Sequence, residues 1–231
     1  MIPYRMNPLG IREVIPMTLT AEQSMSTVRL TAIGSPVVSG LHYRLGKSGL
    51  WLPYTIGDTI TLNNIGDSVQ FWNSSSELGT SNQNYVLFSL SGSVSGHGNF
   101  LSLINYGDTL PSHCFYQMFY RGYSLVWLDT DVFAAAKTVG VQCLRNAFLD
   151  CTALTNAAVP SATVLAAHCY YQMFRGCSNL ASIEVPFTTW SGDTTNWLYG
   201  VAASGTFIKP AALPEEYDAS KIPTGWTVVN K

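Results

Sequence analysis

Side chains able to do chemistry are few in this chain, and they cluster. Five cysteines, Cys114, Cys143, Cys151, Cys169 and Cys177, all fall in the C-terminal half. Cys143/Cys151 and Cys169/Cys177 are each eight residues apart, and His113 and His168 each precede a cysteine. Zinc sites use tight pairs such as C-x2-C that converge on one point. The spacing here suits buried structural thiols instead, with no metal and no disulfide framework. Asp129-Thr130-Asp131 offers two carboxylates. Calcium takes six to eight oxygens, and without a third acidic partner this stretch reads as a solvated loop. Ser93 and Ser95 lie close to His97 in the stretch Gly92 to Gly98, which reads as a Gly/Ser turn joining two domains rather than a nucleophile with its base. No G-x-S-x-G elbow occurs, and no acid/base pair of the glycosidase kind is placed. The expectation is a non-enzymatic protein without cofactor or metal.

The elements that would position these residues are legible in the pattern. The chain has 231 residues, 12% aromatic and only 11% charged, with a net charge of −2. Such a chain has enough apolar area to fold and too little positive charge to favour nucleic acid as a partner. No apolar run approaches the roughly 20 residues of a membrane span. Residues Met1 to Gly10 lack the apolar stretch of a signal peptide, so the expected routes to the outside are release within a particle on lysis or export by a signal outside this sequence.

Residues 1–16 read as an N-terminal docking arm. Pro3, Pro8 and Pro16 exclude a regular helix or a central strand. Ile2, Tyr4, Met6, Leu9, Ile11, Val14 and Ile15 are apolar groups that a lone extended segment could not bury. Residues 17–103 read as a β-sandwich or barrel. Apolar and polar residues alternate in Thr27–Thr31, Leu41–Leu45, Thr59–Leu62 and Ser68–Phe71, with turn signals between them and a further strand at Tyr85–Leu90.

A repeat occupies residues 104–190. The segments Cys114–Leu125, Cys143–Leu154 and Cys169–Leu180 align without gaps, starting 29 and 26 residues apart. Periods in the twenties indicate stacked coils with ladders of equivalent residues, here Cys114/Cys143/Cys169, Phe119/Phe148/Phe174 and Leu125/Leu154/Leu180. Each coil is expected to pair a short helical turn, from the cysteine to the phenylalanine, with a short strand starting at the leucine.

The pattern C-Y-x-x-M-F-x-G-C-x-x-L, clearest from Cys169 to Leu180, resembles the BspA-type leucine-rich repeat of gut-bacterial surface proteins and phage proteins. Gly205-Thr206-Phe207 and Ile222-Pro223-Thr224-Gly225-Trp226-Thr227-Val228 resemble that family's C-terminal cap, placed at 191–231. Tyr54 to Ile60 and Asn64 to Phe71 resemble the β-domain that often precedes the repeats. Gly122, where a cysteine is usual, and Asp150, where a glycine is usual, depart from the pattern. The resemblance implies a mainly β chain: a β-sandwich or barrel, then a short leucine-rich-repeat solenoid with a C-terminal cap. It also implies adhesion or recognition, without catalysis.

The reading that follows is a phage virion component, a fibre or decoration protein. Its arm would meet other virion proteins, and its repeats would face a host glycan or protein. The alternative is a bacterial cell-surface adhesin. A homo-oligomer is expected, although no heptads provide a coiled coil. Strands at Leu125 to Asp129, Asn156 to Pro160 and Ser182 to Pro186 would form one exposed face. Trp127, Asp129, Asn156, Ser182 and Glu184 are its candidate ligand-binding residues. The other tryptophans, Trp51, Trp72, Trp190, Trp197 and Trp226, read as core or cap.

Overall fold

Alternation of apolar and polar residues becomes strand wherever it was expected. The computed structural model describes residues 4–6 and 12–231, with side chains from Ile15 onward. The first strands are β1 (Tyr4–Met6), β2 (Arg12–Val14), β3 (Met17–Ala21), β4 (Ser26–Ile33), β5 (Leu41–Leu45) and β6 (Leu52–Pro53). They are followed by β7 (Thr59–Leu62), β8 (Ser68–Asn73), β9 (Tyr85–Ser91), β10 (Val94–His97), β11 (Thr109–Leu110) and β12 (Leu125–Leu128). The last are β13 (Thr138–Val139), β14 (Ser182–Glu184), β15 (Thr206–Lys209) and β16 (Thr227–Asn230). The described residues are mainly β, with several sheets and none among them closed into a barrel. No described helix is long and apolar enough to cross a membrane.

One sheet has six strands in the order β12-β10-β3-β8-β5-β6, and another has three in the order β7-β4-β9. Phe71 of β8 and Phe88 of β9 meet edge to face, ring centroids 5.5 Å apart, so the two sheets share apolar side chains between them. In the arm, β1 and β2 pair antiparallel with Tyr4 opposite Val14 and Met6 opposite Arg12. Ile2, Leu9 and Ile11 lie outside the described residues. Ile15 belongs to the body rather than to a free arm: its carbonyl accepts from the Asn99 N–H at 3.0 Å.

Residues 92–98 correct the sequence reading. They are not simply a turn, because β10 lies inside the six-stranded sheet, antiparallel to β3 and parallel to β12. The glycine that made the stretch look like a loop is required by packing. A Cβ on Gly96 would lie 2.6 Å from the Leu128 side chain and 3.0 Å from the Phe100 ring. Strand pairing therefore crosses position 103/104, from the β-sheet region into the first repeat.

The three Cys-to-Phe segments stack in register, but none of them is helical. His113, Gln117 and Arg121 have φ of +62°, +54° and +55°, and Gln142, Asn146, Asp150, His168, Gln172 and Gly176 adopt the same left-handed backbone at equivalent positions. A right-handed helix excludes positive φ at every fourth residue. The hydrogen bonds alternate instead. The N–H groups of Tyr116, Met118, Tyr120 and Gly122 donate three residues back within the coil, while those of Phe115, Gln117, Phe119 and Arg121 donate to carbonyls of the next coil. The same alternation joins the second coil to the third, and the third to residues 193–199. Stacking thus continues past the third repeat. A further column of bonds runs from Thr155 N–H to Val126, Ala181 to Thr155, Thr206 to Ala181 and Thr227 to Gly205, at 2.8–3.2 Å, and β14, β15 and β16 form a parallel sheet.

Inside this backbone lies a column of rings. Phe88 stacks on Phe119 at 5.1 Å, Phe119 on Phe148 at 5.6 Å, and Phe148 on Phe174 at 5.2 Å, with interplanar angles of 19°, 17° and 10°. These spacings are close to the separation of hydrogen-bonded neighbours, so backbone and rings share one repeat distance. All five cysteines are buried free thiols. Burial raises each thiol above its ordinary range, to about 12 for Cys151 and Cys169. The Cys151 Sγ donates to the Phe119 carbonyl at 3.0 Å and the Cys177 Sγ to the Phe148 carbonyl at 3.1 Å. In the first coil Gly122 takes the equivalent position, and the Cys151 sulfur lies 3.3 Å from where its Cβ would be. The repeat's departure at Gly122 thus leaves room for the next coil's thiol.

Phe148 is fully buried between two stacked rings. Phe148→Ala is expected to destabilise the protein by about 3–5 kcal/mol, measured by denaturant unfolding. A loss of less than about 0.5 kcal/mol, within the range of ordinary surface substitutions, would show that the column carries no weight.

Candidate functional site

The outer face of the six-stranded sheet carries two rows of polar side chains, set by pairing register. Arg44 lies opposite Gln70, Gln70 opposite Thr18, and Thr18 opposite His97. In the next row Ser68 lies opposite Thr20, Thr20 opposite Ser95, and Ser95 opposite Trp127. Directly opposed residues project to the same face, and the residues between them, such as Leu19 and Val69, project to the other and are fully buried. The Arg44 Nε donates to Gln70 Oε1 at 2.6 Å, Gln70 Nε2 donates to Thr18 Oγ1 at 3.0 Å, and Thr18 Oγ1 donates to the Pro16 carbonyl at 2.9 Å. A cavity of about 530 Å³ opens over these rows, walled by Arg44 and Lys47 at one side and by His97, Gly98 and Asp129 at another.

At that second wall four side chains form a hydrogen-bonded series. The Ser95 Oγ donates to Glu22 Oε1 at 2.5 Å and lies 2.7 Å from His97 Nε2, while His97 Nδ1 lies 3.0 Å from Asp129 Oδ1. The Ser–His–Asp order is that of a nucleophilic triad, but the donor count opposes it. A hydroxyl has one proton, and an ionised carboxylate only accepts. With that proton on Glu22, His97 donates from both ring nitrogens and is the imidazolium, which has no lone pair to take the serine proton. Ser95 is also 2% exposed and forms no part of the cavity wall.

Electrostatics agree with this assignment. The hydrogen bond from Asp129 raises the His97 pKa against the opposing effect of burial, with the Asp129 and Glu22 charges adding to the rise. The Asp129 carboxyl is held below its ordinary range by His97, with smaller help from the Trp127 side chain and the Gly98 N–H, against desolvation. Asp131 moves the other way because burial and the Asp129 charge both disfavour its ionised form. The 129–131 stretch is therefore an ordered part of this wall at Asp129, rather than a wholly solvated loop.

The five candidate ligand residues separate. Asp129 lies in this wall, and Trp127, 45% exposed, hydrogen-bonds it without lining the cavity. Ser182 and Glu184 lie on β14, Ser182 half-buried and Glu184 exposed and paired with Lys231. A smaller cavity of about 270 Å³ lies between Glu184 and Asp131, without Trp127. Asn156 is a correction: it is only 5% exposed, and residues 156–160 are all buried and form no strand. Its amide explains this. Asn156 Oδ1 accepts from the Leu128 N–H at 3.0 Å and Nδ2 donates to the Leu128 carbonyl, so a side chain does the pairing that a neighbouring strand would do. Sequence reasoning missed the Arg44–Gln70–Thr18 row altogether. Its one available signal was that polar residues recur at alternate positions of separate strands.

Compared with protein-family models, curated proteins and solved structures, the chain matches none.

The His97–Asp129 contact fixes a pH window. A raised histidine contributes stability below its unfolded value of about 6.5, and that contribution is lost as pH rises through the folded value. A depressed aspartate contributes above its unfolded value of about 3.9, and that contribution is lost as pH falls through the folded value. His97→Gln is thus expected to lower the melting temperature most near pH 5–6 and progressively less towards pH 9. A pH-independent difference between variant and wild type would contradict the imidazolium assignment.

Proposed function

We propose that the protein is a non-enzymatic recognition module of the leucine-rich-repeat type. Residues 104–190 form a short solenoid capped by 191–231, joined to a β-sandwich over 17–103. The observation that carries this reading is the in-register stack of the segments starting at Cys114, Cys143 and Cys169, joined by alternating hydrogen bonds between coils and by the Phe88–Phe119–Phe148–Phe174 column. Stacked coils make a rigid scaffold that presents side chains at fixed spacing. The buried, doubly bonded Ser95 hydroxyl supports the non-enzymatic side of the reading.

In this proposal the protein is a virion component, a fibre or decoration protein of a phage of gut bacteria, attached to other virion proteins through residues 1–14 and working as a homo-oligomer. The resemblance of Cys169 to Leu180 to the BspA-type repeat supports that setting. The β1–β2 pairing supports a separate attachment element, because its strands hydrogen-bond to each other and to no other sheet among the described residues. Ile15 and Pro16 stay with the body through Asn99.

Removing residues 1–14 is expected to leave the circular dichroism spectrum unchanged and to reduce co-sedimentation with particles at least tenfold. Undiminished co-sedimentation would remove the docking role. Immunogold labelling of the envelope of particle-free cells would favour the surface-adhesin alternative.

A further inference from the structure

We propose that the cavity on the outer face of the six-stranded sheet binds an acidic saccharide, with Arg44 and Lys47 holding its carboxylate. This deepens the recognition reading and rests on it for the biological setting. It moves recognition from the repeat strands to the β-sheet region.

Size comes first. A cavity of about 530 Å³ falls within the roughly 300–1,000 Å³ of small-ligand sites. Its floor mixes polar and apolar surface: Thr20 and Ser68 stand at alternate positions of β3 and β8 beside the buried Thr18 and Gln70, and Ile15 and Pro16 add apolar surface. The half-buried hydroxyls of Thr20 and Ser68 can bond the hydroxyls of a sugar, and the apolar surface beside them can meet its ring carbons.

Charge is placed unevenly. The Arg44 guanidinium has its Nε fixed by Gln70 and its face over the Trp51 ring at 4.8 Å. Among the described residues its terminal nitrogens have no hydrogen-bond partner. A plane held in this way is ready for two parallel bonds to a carboxylate. Lys47 adds an exposed second cation at the same side. The Asp129 carboxylate stands at another wall. A ligand with several phosphates spread across the cavity would meet that charge. A sugar carrying one carboxylate at its end would instead offer hydroxyl donors to Asp129. Trp127, 45% exposed, hydrogen-bonds Asp129 from outside the cavity lining and helps hold that carboxylate in place.

The test is calorimetric titration of the purified full chain with uronic-acid and sialic-acid oligosaccharides, alongside their methyl esters, which carry a methyl group in place of the charge. Binding of at least one acid form is expected, with its ester at least tenfold weaker. Lys47→Gln, at an exposed position, should weaken binding at least fivefold with the melting temperature unchanged, and Arg44→Gln should weaken it further. Raised salt should weaken the acid form alone. Equal affinity for acid and ester, wild-type affinity in both variants, binding of pyrophosphate in preference to the sugars, or no binding by any acid form would each overturn the proposal. The assay contains no particles. Its failure removes this site and leaves the docking reading to be judged by co-sedimentation.

Discussion

The stacking of Phe88, Phe119, Phe148 and Phe174 is the contact on which the rest of the structure depends. Three of these rings come from the repeat and one from β9, so the column begins inside the β-sheet region. The Phe88 N–H also donates to the Met118 carbonyl at 2.7 Å, and β12 of the first repeat joins the six-stranded sheet through β10. Ring stacking, backbone bonding and strand pairing thus cross position 103/104 together. Each coil is too small to bury its own apolar face, so it gains stability only from its neighbours. For the first coil, one neighbour is the second coil and the other is the sheet.

The same constraint explains the backbone of the coils. Keeping successive rings about 5 Å apart requires successive coils to bond directly, and the segment must still turn tightly enough to return. A left-handed residue at every fourth position achieves both, because alternate N–H groups then point along the stack and the others close turns within the coil. The left-handed positions are occupied largely by Asn, Asp, Gln, His and Arg, residues without β-branches. The candidate site sits where this stack meets the sheet. Asp129, just after the first coil's strand, reaches His97 on β10, so the docked coil supplies the carboxylate of the cavity's second wall.

Period-two alternation made strands legible at Thr27–Thr31, Leu41–Leu45, Thr59–Leu62 and Ser68–Phe71, where β4, β5, β7 and β8 are found. The phenylalanine ladder was legible from spacing alone, and Phe148 is fully buried as that spacing required. Three features were hidden for physical reasons. Val94 to His97 looked like a turn because Gly96 is demanded by close packing rather than by chain reversal. The left-handed positions gave no signal, because Gln117 and Gln172 are not turn residues by type. Asn156 looked like an exposed donor, but its amide replaces a strand, which only the tertiary neighbour Leu128 reveals. The site itself was half legible. Trp127 and Asp129 stood among the candidates, but the contact of Asp129 with His97 was hidden, since parallel pairing brings the two together across about thirty residues.

If the column joins the sheet region and the coils as described, the chain unfolds as one unit. Differential scanning calorimetry of the full chain measures this directly. The account expects a single transition whose calorimetric and van't Hoff enthalpies agree. Two resolved transitions, one surviving unchanged in Phe148→Ala, would show that the β-sheet region and the coils are independent and contradict the account.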